Sequence, residues 1–157
     1  MRLLQDSSVW DILFKEYCFC PKYIKDSYRW LTPPVPFETF ILPENCWNEE
    51  QERLVNSFFE ELNITELYAL DWQHDSFSFD PGDYGKLVRE YYDVDRNCNV
   101  YFPSFYPNGD YHFFVDSDWK YAMFGHPWIG EIVVCGQELI DCFEAKRKEL
   151  ALGDQGG

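Results

Sequence analysis

Three histidines lie near carboxylates in this sequence: His74 in DWQHD, His112 in GDYHFFVD and His126 in FGHPW. Imidazole next to carboxylate is the pairing that a general base or a metal ligand requires, because the carboxylate orients the ring and stabilises its charged form. Asp71, His74, Asp110, His112 and His126 are therefore the candidate catalytic residues, provided that the fold brings them together. Alternation along a strand starting at Asp110 puts Asp110, His112, Phe114 and Asp116 on one face and Tyr111, Phe113 and Val115 on the other. The plainer reading of that pattern is a solvated sheet face above a core face.

Other chemistry-bearing patterns fail on their spacing. No H-x-x-x-H or C-x-x-C is present, so the histidines carry no metal signature and none is expected to hold an ion. Asp93, Asp95 and Asn97 imitate the start of a calcium loop, but Cys98 stands where glycine must turn the chain and Ser104 where a bidentate glutamate belongs. Cys18 and Cys20 read as a buried structural pair and not as a redox site. No G-x-G-x-x-G, P-loop or G-x-S-x-G occurs, which removes the warrant for nucleotide and serine-hydrolase chemistry. No cofactor is expected. Trp119, Tyr121, Phe124 and Trp128 flank Gly125-His126-Pro127, where a rigid turn could set an imidazole beside flat rings and line a small-ligand pocket. An aromatic core corner is the competing account.

The elements that must position these residues follow from periodicity. Ser8 is expected to cap a helix with Val9, Trp10, Leu13, Phe14 and Tyr17 at helical spacing and Asp11 three residues on as a partial capping box, ending near Cys18. Prolines from Pro21 to Pro43 forbid a further helix there but leave VPFETFIL free as a strand at a sheet edge. Asn48 with Gln51 forms a capping box ahead of the stripe Leu54, Val55, Phe58, Phe59 and Leu62. LYALDWQ and SFSFD then alternate as strands. VYFPSFY, DYHFFVD, WKYAMFG and EIVVCG read as four more, with Asn108-Gly109 as a hairpin signal. A last helix spans Gln137 to Leu152. The expected fold class is α+β: a twisted antiparallel sheet of five to seven strands, a meander in its second half, and N-terminal, middle and C-terminal helices mainly on one face. Residues 1–152 are expected to form a single globular domain and 153–157 a frayed tail.

Composition limits the partners. With 28 acids against 13 bases the formal charge is −15, a field that repels nucleic acid and anionic membranes and attracts cations. Residues Glu44 to Asp95 alone hold 14 acids and 3 bases. MRLLQDSSVW meets Asp6 before any apolar run, so no secretion signal or membrane span is expected, a cytoplasmic location follows, and the 6 cysteines are expected to stay reduced. Aromatics number 31 (6 Trp, 11 Tyr, 14 Phe) and should dominate core and grooves alike.

The segments FYPNGDYHFFVDSD, FGHPW and EIVVCGQELI, with ALDWQH upstream, resemble a bacterial family known only as a domain of unknown function. The likeness covers roughly Tyr68 to Ile140. It is carried by Asp71, Trp72, His74, Pro107, Gly109, Asp110, Tyr111, Gly125, His126, Pro127, Trp128, Gly136 and Leu139. It implies a family and no activity. In type, though not in aligned motif, the chain is also similar to the immunity proteins of bacterial toxin systems, small acidic α+β proteins.

Two functions are consistent with these residues. One is an acidic protein-binding module, of immunity or inhibitor type, covering a basic partner such as a toxin or nuclease. Its steering surface would comprise Glu49, Glu50, Glu52, Glu60, Glu61 and Glu66, with aromatics as anchors. The other is a small-ligand-binding protein or enzyme that uses the His and Asp residues in an aromatic-lined cleft.

Overall fold

In the computed structural model, residues 1–5, 7–21 and 29–154 are described. The strands in chain order are β1 (Arg2–Leu4), β2 (Phe37–Ile41), β3 (Leu67–Asp71), β4 (Ser76–Phe79), β5 (Glu90–Asp93), β6 (Cys98–Tyr101), β7 (His112–Asp116), β8 (Ala122–His126), β9 (Glu131–Cys135) and β10 (Gly153–Asp154). The helices are α1 (Ser8–Glu16), α2 (Glu49–Glu61) and α3 (Gln137–Ala145), with a 3-10 turn over Pro81–Lys86. Eight strands form one antiparallel sheet in the order β1-β4-β3-β7-β8-β9-β2-β10, while β5 and β6 pair as a separate ribbon. The fold is α+β, as the sequence pattern implies.

The middle of the sheet explains where the helices go. Every residue of β7, β8 and β9 is buried, so these strands are apolar on both faces and both must be covered. α2 and α3 cover one face, packing Val55, Phe58, Phe59, Leu139 and Phe143 against Phe40, Ala69, Phe114, Met123 and Ile132. α1 and the segment after it cover the other, packing Val9, Leu13, Phe19, Trp30 and Leu31 against Leu70, Phe113, Val115, Phe124 and Val133. The expectation of helices mainly on one face thus holds for two of the three, and HFFVD, AMFGH and EIVVC require the third opposite.

The α2 capping box is complete: Asn48 Oδ1 accepts from the Gln51 amide and Gln51 Oε1 from the Asn48 amide, both at 2.8 Å. Ser8 is the first residue of α1 and not its cap; the cap position falls to Ser7, which makes no side-chain cap bond. The meander β7-β8-β9 forms as read, with His112 opposite Gly125 and His126 opposite Glu131. β6 does not join it. Asn108-Gly109 lies in a loop, Phe102 to Asp110, and not in a hairpin, because Pro103 and Pro107 interrupt any ladder there and β6 pairs back onto β5. α3 is shorter than the pattern suggests, giving way to turns from Lys146 onward. The tail is not frayed from its first residue: Gly153 and Asp154 pair with Ile41 and Phe40, while residues 155–157 lie outside the described residues. All six cysteines are free.

Candidate functional site

The Phe102–Asp110 loop lies on the α2 face and is pinned from three sides. Glu52 of α2, buried, accepts the Phe105 amide at 2.7 Å and the Tyr106 amide at 3.0 Å. Pro107 packs on Gly125, where an added Cβ would come within 2.8 Å of the proline ring. His112 Nδ1 donates to the Ser104 carbonyl at 2.9 Å and faces that of Tyr106 at 3.2 Å. The pinned loop delivers Asp110 to the point where β3 ends and β7 begins.

Four of the five candidate residues meet there. Asp71 and His112 are cross-strand partners on the α2 face of the sheet, with Asp71 Oδ2 3.3 Å from His112 Nε2. The β3–β4 turn folds His74 back so that its Nδ1 is 3.0 Å from Asp71 Oδ1 and 3.5 Å from Asp110 Oδ2. Asp110 also accepts the Gln73 amide at 2.8 Å and its neighbour's amide, Tyr111, at 2.7 Å. Asp71, Asp110 and His112 are buried, while His74 is half exposed. Beside them lies a cavity of about 400 Å³, lined by Asp71, His74, Tyr101, Phe102, Pro103, Ser104, Asn108 and His112.

The surroundings shift the two carboxyls in opposite directions. Burial pushes Asp110 up to about 6, reinforced by the hydrogen bond with Asp71 and opposed by the Gln73 and Tyr111 amides. Burial would raise Asp71 too, but hydrogen bonds from His112, Asp110 and His74 and the His112 charge outweigh it, holding Asp71 well below the usual carboxylate range. The hydrogen bond to Asp71 raises His74. Two adjacent carboxyls pushed in opposite directions by their surroundings are the pattern from which acid–base roles arise.

His126 is not part of this cluster. It projects from the opposite face of the sheet, among Trp30, Tyr111 and Trp128, and is fully buried. Its Nδ1 accepts the Trp128 and Ile129 amides at 3.2 and 3.3 Å, which places the ring proton on Nε2, 3.3 Å from the Tyr111 hydroxyl. Burial brings it down to about 4. With both nitrogens engaged, His126 ties the β8–β9 turn to the core.

The four aromatics do not line one pocket. Phe124 is fully buried under α1, and Trp128 is exposed at the far end of β8 from Tyr121. Trp119 and Tyr121 border a separate hollow of about 500 Å³ with Val35, Pro36 and Gly136. The expected steering glutamates also divide. Glu52 is structural and not a surface acid, because its carboxylate is consumed by the loop amides. Glu49 pairs with Arg53 and Arg89, Glu66 with Arg2, and Glu60 accepts from Asn56. Glu50 and Glu61 face solvent along the groove between α2 and α3. Asp141, Glu138 and Glu149 share that groove but went unnoticed in the sequence, where they are scattered through the C-terminal segment.

A family model described as "Protein of unknown function (DUF2716)" matches residues 3–140. The chain belongs to that family. The DUF2716 match covers α1 and the start of α3 as well as the strands between, and so includes the His and Asp cluster. The chain is similar to the uncharacterized protein YxiI of Bacillus subtilis (strain 168), with 28% identity over 127 residues, 73% of this chain and 74% of the relative. No solved structure matches it. Among the described residues of this DUF2716 protein, no helix is long and apolar enough to cross a membrane.

Proposed function

We propose that this DUF2716 protein is an acidic protein-binding module, of inhibitor or immunity type, whose α2–α3 groove receives a basic amphipathic segment of a partner protein such as a toxin or nuclease. The observation that carries this reading is the groove's construction. Two adjoining hollows, of about 540 and 280 Å³, share Leu54 and Lys146. Leu54, Phe58, Cys142 and Ala145 give the groove apolar surface, and Glu50, Glu61, Glu138, Asp141 and Glu149 stand along it. Against five carboxylates the groove offers two cations, Arg53 and Lys146, and Arg53 is already paired with Glu49. An apolar strip bordered by carboxylates that make no ion pair among the described residues matches a helix with one apolar face flanked by lysines and arginines.

The test is a pull-down from the native host at low salt with the intact chain and two charge-reversed variants. Glu61→Lys with Asp141→Lys alters the groove; Asp11→Lys with Glu16→Lys makes the same change in net charge on α1. A basic partner retained by the α1 variant and lost by the groove variant is expected. Equal retention by both, or no basic partner with the intact chain, would sink the reading.

A further inference from the structure

The arrangement of Asp71, His74 and Asp110 is independent of the docking groove, and its geometry has a second meaning. One ligand atom from each residue lies within 4.8 Å of the other two. His74 Nδ1 sits 3.0 Å from Asp71 Oδ1 and 3.5 Å from Asp110 Oδ2. A tetrahedral ion with bonds of about 2.0–2.1 Å to nitrogen and oxygen places its ligands roughly 3.3 Å apart, which lies between the two His74 distances.

Neighbouring groups hold these donors in place. His112 Nε2 engages the other oxygen of Asp71 while its Nδ1 is tied to the loop carbonyls. The Tyr111 amide engages the other oxygen of Asp110. Asp71 Oδ1 and Asp110 Oδ2 are the oxygens turned toward His74, and both also accept the Gln73 amide, at 3.3 and 2.8 Å, so each carboxylate has the outer interactions that metal ligands ordinarily possess. Two buried carboxylates facing each other favour positive charge between them, and His74 is the side chain placed there. The half-exposed His74 gives an entry path, and the adjoining cavity of about 400 Å³ leaves room for a fourth, non-protein ligand. The chain's net charge of −15 concentrates cations around it.

We infer that Asp71, His74 and Asp110 form a three-ligand site for a first-row divalent cation such as Zn2+, with its open coordination position facing the Ser104–Asn108 side of the cavity. The donor set, one imidazole and two carboxylates, suits such an ion better than Ca2+ or Mg2+, which take oxygen ligands. Nothing in the local sequence has the spacing of a metal motif, because the ligands come from a strand end, a turn and a separate loop.

The experiment is calorimetric titration of the full chain, stripped with chelator, with zinc chloride at neutral pH. One equivalent is expected to bind, weakened at least tenfold by Asp110→Asn and by His74→Ala, and left unchanged by Glu16→Gln at the exposed end of α1. Co2+ should give the intense visible absorption of a tetrahedral site, lost in the same two variants. No saturable binding, or binding that both variants leave intact, overturns the inference. His74 is half exposed, so His74→Ala tests the site even if Asp110→Asn perturbs the fold.

Discussion

His112 and His126 belong to the same three-strand meander and end in opposite roles because they fall on opposite faces of it. His112 turns to the α2 face, where a carboxylate and two loop carbonyls await both ring nitrogens. His126 turns to the α1 face, where two amides and a tyrosine fix it as a neutral ring. Its depressed value, about 4 against 6.5 in an unfolded chain, has a stability consequence of definite sign. Keeping His126 neutral stabilises the fold fully above pH 6.5, and that contribution is lost as pH falls toward 4, by about 2–3 kcal/mol. Denaturant unfolding at pH 7.5 and pH 4.5 should show this loss, and His126→Phe should shrink the difference between the two. An unchanged difference would mean that His126 takes up its proton without strain.

At the scale of elements, the Phe102–Asp110 loop is the part that the site depends on most. α2 holds it through Glu52, β7 through His112, and β8 through the bare backbone of Gly125 against Pro107. Gly125→Ala forces a methyl to within 2.8 Å of the proline ring. Overpacking of this kind costs about 1–3 kcal/mol, so a thermal midpoint lower by roughly 2–10 °C is expected. If the loop moves off the sheet to relieve the contact, Asp110 moves with it, and Zn2+ affinity should fall together with stability. A Gly125→Ala protein as stable as the parent would show that the loop packs more loosely than described. The α2 capping box, the start of α3 and the β7-β8-β9 meander were legible from local pattern, since each is specified by residues within a few positions of one another. The loop was not. Asn-Gly reads as a hairpin when its flanks can pair, and only the two prolines beside it, together with the competing β5–β6 ribbon, decide otherwise.

For the molecule as a whole, the charge of −15 is not spread as the sequence suggests. Much of the acidity between Glu44 and Asp95 is engaged within the fold: Glu52 with backbone, Glu49, Asp75 and Asp93 with arginines, Asp71 within the His and Asp cluster. The groove combines two acids of that stretch, Glu50 and Glu61, with Glu138, Asp141 and Glu149 from the C-terminal segment. If it steers a basic partner, association should be fast at low ionic strength and slow steeply between 50 and 300 mM salt, because charges beyond a Debye length of about 8–10 Å are screened. Stopped-flow association rates across that range check this, and a salt-independent rate would argue that the charge serves solubility alone.

By itself the sequence determined the α+β class, the three helices, the paired middle strands, the acidity and the residues able to do chemistry, because these rest on composition and on periods of two and 3.6. Tertiary structure alone decided which of those residues meet. Asp71, His74, Asp110 and His112 converge because β3 and β7 are neighbours in register and a loop fixed by α2 returns to them. His126, two residues past Phe124 on a strand buried on both faces, shares Phe124's side of the sheet and is shut away from the other four. Convergence of this kind depends on strand order and on long-range packing, and no local spacing encodes either.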